Sequence, residues 1–313
     1  MLGKTAGGLY WMFRYLERSG NTARLIEAGM RISLTRSRDP ESDWRSIIIT
    51  SAAKTAYEAK YNTYDASRVT DFLLRDPDNA NSVLSITKVA RDNARLVRTA
   101  LTSEVWSAVN EAWMVITKLL KDPVPEEDLP GVLAGLRQQS SLVRGALHGS
   151  MLRNDIYDFC RIGTFIERMD STSRIIDVKY HSLLPAASFV GSRLDNVQWE
   201  MVLRSVSAHA AFRWAMEGEY NAPNIARFLI LDRRLPRSLA FCISKITDNL
   251  GYLAEDYGNR PVCLDTAESL HARITTRDIN AIFDEGLHEF LISIIADLTA
   301  LSRQIEEDYR FNV

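Results

Sequence analysis

The sequence predicts an all-α protein, a helical bundle of about ten helices. Two observations carry this prediction. Apolar residues recur every three or four positions along most of the chain, which is the spacing of one face of a helix. Proline and glycine collect in the segments between these stretches, and no stretch has the convincing alternation of a half-buried strand. With 313 residues, the chain is long enough to bury a large core between such helices.

The individual helices follow from their apolar stripes and their capping residues. The first carries the stripe Leu9, Leu16 and Ala23. The second, "SDWRSIIITSAAKTAYEAKYN", begins at Ser42, which is a good N-cap. Further helices are predicted over "NANSVLSITKVARDNARLVRTAL", after Thr102 or Ser103, from about Pro130, after the cap Asn221, from Pro236 and after Thr276. The segments 122–131, 182–196 and 257–266 are predicted to be loops.

The chain contains two copies of one charged segment. "YLERSGNTARLIE" begins at Tyr15 and "FIERMDSTSRIID" begins at Phe165, 150 positions later. A block that begins at Trp44 recurs at Trp199, and the pair 92–93 (Asp-Asn) recurs at 248–249. Chance similarity between amphipathic helices predicts matching apolar positions, but not matching Trp, Glu-Arg and Asp-Asn at steady offsets. We therefore predict one domain, 1–313, built by internal duplication from halves 1–150 and 151–313 that are related by a pseudo-twofold axis.

The repeated charges lie on one helix face, away from the apolar stripe. Glu17 and Arg24 share this face in the first copy, and Glu167 and Arg174 share it in the second. Seven residues span about 10 Å of helix, so each pair is poorly placed to interact within its own helix. We expect Glu17 to meet Arg174 and Glu167 to meet Arg24 across the pseudo-twofold. The alternatives are a ligand-binding or catalytic site and a solvated face with weak ion pairs.

Composition argues against several classes of function. A net charge of −2 argues against a nucleic-acid-binding protein, which needs a basic face. No apolar run approaches the roughly 20 residues of a membrane span, and the first residues, interrupted by Arg14 and Glu17, do not resemble a secretion signal. Three widely spaced cysteines fit reduced thiols rather than a disulfide framework or a zinc site. We expect a cytoplasmic protein that binds neither nucleic acid nor membrane.

Several segments together resemble the bacterial alpha-E family, an all-helical domain of unknown function. They are "LYWMFRYLERSGNTARLIE", "TSEVWSAVNEAW", "FCRIGTFIERMDSTSRIIDVKY", "WEMVLRSVSAHAAFRW" and "LPRSLAFCI". The resemblance covers nearly the whole chain. It implies an association with circularly permuted ATP-grasp proteins and with transglutaminase-like cysteine peptidases. Such a setting implies that a peptide or amide is made, attached or trimmed, although it assigns no reaction to this chain.

The resemblance also implies which residues to examine. The Glu-Arg motif of the family matches the pairs 17–18 and 167–168, its Ser-x-Glu-x-Trp helix start matches the segment around Glu104, and its Pro-Arg-Ser matches 236–238. The pair Gly7-Gly8 departs from the helix-forming residues expected there. The candidate residues for a ligand site or a structural charge network are Glu17, Arg18, Arg24, Glu104, Trp106, Asn110, Glu167, Arg168, Arg174, Asp177 and Arg237.

Arg237 is a separate case among these candidates. It follows Pro236 at a predicted helix start, where the helix dipole disfavours a cation. We therefore expect a carboxylate partner or an anionic ligand beside it.

One pattern suggests a metal site. Glu268 and His271 are followed by Glu285 and His288 with the same spacing, and helical di-metal proteins use two such pairs. The second pair follows the first by only 17 positions, and two further Glu ligands are needed. We expect these four to be solvated polar residues, with no metal and no cofactor bound.

The expected function is therefore that of an accessory or non-catalytic subunit in an ATP-grasp-linked peptide or amide ligase system. No Gly-x-x-x-x-Gly-Lys or Gly-x-Gly-x-x-Gly loop for a nucleotide occurs, and no histidine lies in a recognisable nucleophile context. The alternatives are an enzyme that acts on a peptide or amide through the Glu/Arg face, and a helical protein–protein adaptor.

Overall fold

The computed structural model describes residues 1–34, 40–182, 193–216 and 220–312. Within these ranges the protein is all-helical, as the sequence predicts, and has no strand. Fifteen α-helices are present there: α1 (Gly3–Leu34), α2 (Pro40–Thr50), α3 (Lys54–Glu58), α4 (Ala66–Leu74), α5 (Val83–Leu96), α6 (Ser103–Leu119), α7 (Leu129–Ser150), α8 (Asp155–Ser182), α9 (Arg193–Ser205), α10 (His209–Ala215), α11 (Ala222–Leu231), α12 (Leu239–Tyr257), α13 (Val262–Thr275), α14 (Ile279–Glu285) and α15 (Leu287–Asp308).

The helix count exceeds the predicted ten, and three of the additional helices arise because backbone turns divide segments that have a continuous helical period. Ala52 has a φ of 55° and separates α2 from α3, and Ser207 has a φ of 57° and separates α9 from α10. Gly286, with a φ of 107°, divides the predicted last helix into α14 and α15. A positive φ interrupts a right-handed helix, and the apolar period does not reveal it at Ala52 or Ser207.

Some predicted boundaries also move. The second helix begins at Pro40 rather than after Ser42, and the predicted loop 257–266 contains the first turn of α13, which begins at Val262. The cap of α12 is Ser238 rather than a start at Pro236. Asn221 caps α11 as predicted. Most of the predicted loop 182–196 lies outside the described residues.

Two long helices, α1 and α8, pack against each other at the centre of the bundle. Helices α5 and α7 cover α1, and α12 and α15 cover α8. The outer helix α6 lies on α5 and α7, while α13 lies on α12 and α15. Helix α2 also contacts α8, and α9 contacts α1. The buried apolar side chains between these helices form one continuous core.

The two central helices approach closely at Gly163. A Cβ atom at this position would lie 2.3 Å from the carbonyl oxygen of Tyr10, so the backbones of α1 and α8 touch at a glycine. Gly7 and Gly8, which were unexpected in a helix, lie inside α1. A Cβ atom on Gly8 would meet Val97 at 2.6 Å, so close packing explains the glycine there.

No described helix is both long enough and apolar enough to cross a membrane.

Replacing Gly163 by alanine is expected to destabilise the protein strongly. The added methyl group meets backbone rather than a flexible side chain, and overpacking of this kind costs about 1–3 kcal/mol. Gly145→Ala is the matched control, because it is also inside a helix and has no atom within 4 Å of the added Cβ. It should stabilise the protein by about 0.8 kcal/mol through helix propensity. Urea unfolding measures both, and equal effects of the two changes would contradict the close approach.

Candidate functional site

The two Glu-Arg pairs meet across the interface between α1 and α8. Arg168 donates from Nε and Nη2 to the two carboxylate oxygens of Glu17, at 3.0 and 3.3 Å. Arg18 donates from Nε and Nη2 to the two oxygens of Glu167, at 2.7 and 2.9 Å. Each helix thus gives one carboxylate and one guanidinium to the other, in two fork-like ion pairs of the strongest geometry.

Glu17 has two further arginine partners from other elements. Arg144 of α7 donates to its Oε2 at 3.1 Å, and Arg237, just before α12, donates to its Oε1 at 2.6 Å. Arg237 also donates to Oδ1 of Asn21 at 2.8 Å and is 8% exposed. The partner expected for the cation at this helix start is therefore the carboxylate of Glu17.

Glu167 has one further partner, Arg14. The guanidinium of Arg14 donates to Oε2 of Glu167 from Nη2 at 3.2 Å and from Nε at 3.3 Å. It also donates to Ser302 of α15 at 3.1 Å and lies 4.7 Å from the ring centroid of Trp11. Both carboxylates of the network are buried, and both are surrounded by cations.

The electrostatics keep both glutamates ionised. Burial alone would raise the pKa of Glu17, but the charges of Arg168, Arg237 and Arg144 hold it well below its usual range. Burial likewise opposes the charge on Glu167, and Arg18 and Arg14 lower its pKa below the usual range. A general acid or base needs a pKa near the working pH and a free oxygen. Neither glutamate meets these conditions while the network is intact.

The predicted partners Arg24 and Arg174 are wrong. Arg174 pairs with Asp170 of its own helix, with Nε 2.8 Å from Oδ2. Arg24 donates to Oγ of Ser207 at 3.1 Å and to the carbonyl oxygen of Gly20 at 2.9 Å. The glutamates meet the arginines directly across the helix contact. Arginines seven residues beyond each glutamate lie about 10 Å further along the helix and do not contact these carboxylates.

A polar cleft of about 220 Å³ opens beside the Arg18–Glu167 pair. Its lining includes Asn81, which accepts from Nη1 of Arg18 at 2.7 Å, together with Ser171 and Arg174. Arginine, amide and hydroxyl groups line this cleft, so it offers hydrogen-bond donors to a polar ligand.

The remaining candidates lie away from the charge network. Glu104 is exposed at the start of α6, and the ring of Trp106 lies 5.2 Å from the guanidinium of Arg98. Asn110 accepts from Nε of Arg91 at 3.0 Å. Asp177, on α8, lies 2.5 Å from Nδ1 of His288. The structure does not bring these four candidates together.

The four residues of the metal pattern make separate contacts. Glu268 pairs with Arg260, Glu285 pairs with Arg277, and His271 lies 3.0 Å from Oγ of Ser244. The fourth, His288, contacts Asp177. In the described parts of the chain, no three side chains of metal-binding type come together.

Sequence reasoning missed two members of the network, Arg14 and Arg144. Arg14 is four residues before Arg18, so the two share one face of α1, and this spacing is a signal for it. Arg144 belongs to α7 and has no counterpart in the repeated segments, so no sequence pattern indicates it.

The fold and the site define an all-helical protein whose two central helices are joined by reciprocal Glu-Arg pairs. The chain belongs to the Alpha-E family, described as "a predicted alpha-helical domain with a conserved ER motif", whose model matches residues 1–309. This confirms the resemblance seen in the sequence. Glu followed by Arg occurs at two places in the chain, 17–18 and 167–168, and these are the residues that pair.

Similar curated proteins are longer than this chain. Uncharacterized proteins of Mycobacterium bovis and Mycobacterium tuberculosis are each 21% identical to it over 319 aligned positions. The alignments cover 96% of this chain and 35% of each relative, so the chain spans about a third of the length of the curated relatives it matches. No solved structure matches the chain.

Removal of either glutamate is expected to destabilise the protein by about 3–5 kcal/mol, because buried and half-buried arginines lose a buried counter-charge. Glu17→Ala leaves three guanidinium groups without it, and Glu167→Ala leaves two. Asp170→Ala is the control, because it removes an i,i+4 pair worth about 0.3–0.5 kcal/mol. Chemical denaturation should show a much larger loss of unfolding free energy for the two glutamate variants than for Asp170→Ala. A loss below about 1 kcal/mol for both glutamate variants would contradict the structural role.

Acid is expected to weaken the fold through the same two carboxylates. Their pKa values are lower in the folded state than the value of about 4.3 in an unfolded chain. Their contribution to the free energy of unfolding is therefore complete above that value and is lost as pH falls below it. Unfolding of the wild type and of Glu17→Gln should be compared from pH 7 to pH 3. The variant should lose less stability over this range, and equal losses would contradict the assignment.

Proposed function

We propose that this chain is an accessory, non-catalytic helical subunit that acts with an ATP-grasp protein in making a peptide or amide bond. The observation that carries the proposal is the saturation of both buried carboxylates. All four oxygens of Glu17 and Glu167 accept from guanidinium groups. The Glu-Arg motif then serves to join α1 to α8, and the reaction belongs to a partner.

The partner is proposed from the family and from what the chain lacks. ATP-grasp association is implied by the resemblance to alpha-E proteins, and no Gly-rich nucleotide loop occurs in the sequence. In the mycobacterial relatives, the matching region is about a third of a longer chain. This arrangement supports a domain that works beside further protein, and a transglutaminase-like peptidase is the second partner class that the resemblance implies.

A second candidate function is an enzyme acting on a peptide or amide at the Glu/Arg face. The polar cleft beside the Arg18–Glu167 pair favours it, because the cleft offers donors to a peptide carbonyl or carboxylate. A third is a helical adaptor with no link to ligation. The enzyme is less well supported, because a saturated carboxylate is not available as an acid or base; the adaptor differs from the accessory subunit only in its partner.

The halves 1–150 and 151–313 are proposed to derive from a duplication. The packing supports this origin, because α1 is covered by α5 and α7 and α8 is covered in the same way by α12 and α15. The helix caps Ser82 and Ser238, which lie 156 positions apart, also correspond. Edge-to-face ring pairs join Tyr57 to Phe72 and, at the corresponding positions, a phenylalanine of α10 to one of α11, with centroids 5.1 and 5.4 Å apart. The whole chain, 1–313, is then one domain.

A cytoplasmic location is also part of the proposal. The three cysteines are free and buried, which suits a reducing compartment. Burial raises the pKa of the Cys242 thiol to about 12 and that of the Cys160 thiol well above its usual value, so neither is an activated nucleophile.

Reconstitution tests the proposal. The ATP-grasp protein that co-purifies with the tagged chain from its native host is isolated, and ADP release and amide product are measured with and without the chain. We expect the chain alone to turn over no peptide and release no ADP, and to raise the rate of its partner. Glu17→Gln, assayed below its melting temperature, should keep this effect, because the carboxylate is not a reacting group.

Two results would overturn the proposal. Turnover of a peptide by the isolated chain, lost in Glu17→Gln, would favour the enzyme. Absence of an ATP-grasp protein from the purified material, with no effect on any ligation rate, would favour the adaptor.

A further inference from the structure

The two copies of the repeated segment differ in how they neutralise one arginine. Arg24 and Arg174 lie 150 positions apart at matching places in the two copies. Arg174 is paired with Asp170, four residues before it. The residue that matches Asp170 in the first copy is Gly20, which offers Arg24 a carbonyl oxygen instead of a carboxylate. Helix α1 therefore carries Arg24 without the carboxylate that Asp170 provides for Arg174 in α8.

Arg24 is buried and lacks an ion pair among the described residues. It is 9% exposed, and its hydrogen bonds are those to Ser207 and Gly20, made by Nε and Nη1. Its Nη2 has no partner in the described part of the chain. Burial lowers the pKa of Arg24 to about 9, and the nearby charge of Arg237 adds to this effect. A buried guanidinium without a carboxylate is an unfavourable arrangement that an anion would relieve.

A cleft of about 340 Å³ opens onto Arg24, between α1, α7 and the turn that joins α9 to α10. The carboxylates near the cleft already have partners, since Glu27 pairs with Arg137 and Glu200 pairs with Arg204. Positive charge at Arg24 is therefore not cancelled from the cleft side. The lining of the cleft has four arginines and one carboxylate, that of Glu27. A concave site with an excess of one sign of charge concentrates ions of the opposite sign.

We infer that Arg24 and Ser207 form a binding site for a compact oxyanion, the carboxylate or phosphate group of a ligand, in the cleft between α1 and the α9–α10 turn. The Nη2 group of Arg24 donates to one oxygen. The hydroxyl of Ser207 accepts from Nε of Arg24, so its own proton is available for a second oxygen. This site is separate from the Glu17–Glu167 pairs and does not depend on the proposed function.

The sharpest test supplies the missing carboxylate from the protein itself. Ser207 is exposed and has a φ of 57°, a conformation that aspartate tolerates better than most residues. Ser207→Asp should place a carboxylate on Arg24, as Asp170 does for Arg174, and close the site. The matched control is Ala52→Asp, at the corresponding exposed turn of the first half with a φ of 55°. Arg174 lines the same cleft as Ala52, and it is already paired with Asp170.

Binding of inorganic phosphate and of acetate to the full chain is measured by titration calorimetry. Saturable binding of at least one ion to the wild type is expected. A charge-assisted hydrogen bond contributes about 1.5–3 kcal/mol, so Ser207→Asp should weaken binding at least about tenfold, and Ala52→Asp less than about twofold. Ser207→Asp should also raise the melting temperature, because it pairs a buried charge. Arg24→Gln gives a second measure if the aspartate variant does not fold.

The results distinguish a phosphoryl ligand from a carboxylate ligand, and binding at Arg24 from binding elsewhere on the protein. Phosphate binding without acetate binding assigns a phosphoryl ligand, and acetate binding without phosphate binding assigns a carboxylate ligand. Comparable affinities support an oxyanion site that accepts either group. No saturable binding of either ion to the wild type would overturn the inference. Equal weakening by Ser207→Asp and Ala52→Asp, or an unchanged affinity in Arg24→Gln, would also overturn it.

Discussion

The structure depends on the exchange of carboxylate and guanidinium groups between the two central helices. Buried charges cost several kcal/mol each in lost hydration, and here this cost is offset because every carboxylate oxygen accepts from a cation. Each helix needs both members of its Glu-Arg pair, since one serves as acceptor and the other as donor. This requirement gives a physical reason for the charged segment to occur twice. Two contacting helices can satisfy two buried carboxylates and the two guanidinium groups beside them if each helix carries the same pair.

The network extends beyond α1 and α8 and so fixes the elements around them. Arg144 connects Glu17 to α7, and Arg237 connects it to the start of α12. Arg14 connects Glu167 to α15 through Ser302. The surroundings of the two glutamates are nonetheless unequal, because Glu17 faces three guanidinium groups and Glu167 faces two. The surplus of positive charge lies on the Glu17 side, which is also the side of Arg24, an arginine with no ion pair among the residues that the structure describes.

The sequence was sufficient for the fold class and for the face of each central helix, but not for the contacts across that face. Helical period and charge placement predicted that Glu17 and Glu167 would meet arginines from another helix, and both do. The partners were wrong because period gives direction around a helix and not the point at which two helices touch. That point depends on Gly163, where backbone meets backbone. Helices α3 and α10 were not predicted as separate helices because positive φ angles at Ala52 and Ser207 set where they begin.

A buried charge network is not required for stability alone, because well-packed apolar residues of similar volume often stabilise a protein as much or more. What distinguishes a charge network from an apolar interface is that its charged groups can pair in few other arrangements of the two helices. A slide of α1 along α8 by one helical turn, about 5.4 Å, would separate Glu17 from Arg168 and Glu167 from Arg18 together, and so would break both fork-like ion pairs at once. An apolar interface would lose far less from the same slide. The Glu-Arg pairs therefore hold one register between the central helices. A subunit that must present a fixed surface to a partner enzyme needs such a register, which is the physical link between the charge network and the accessory role proposed for the chain.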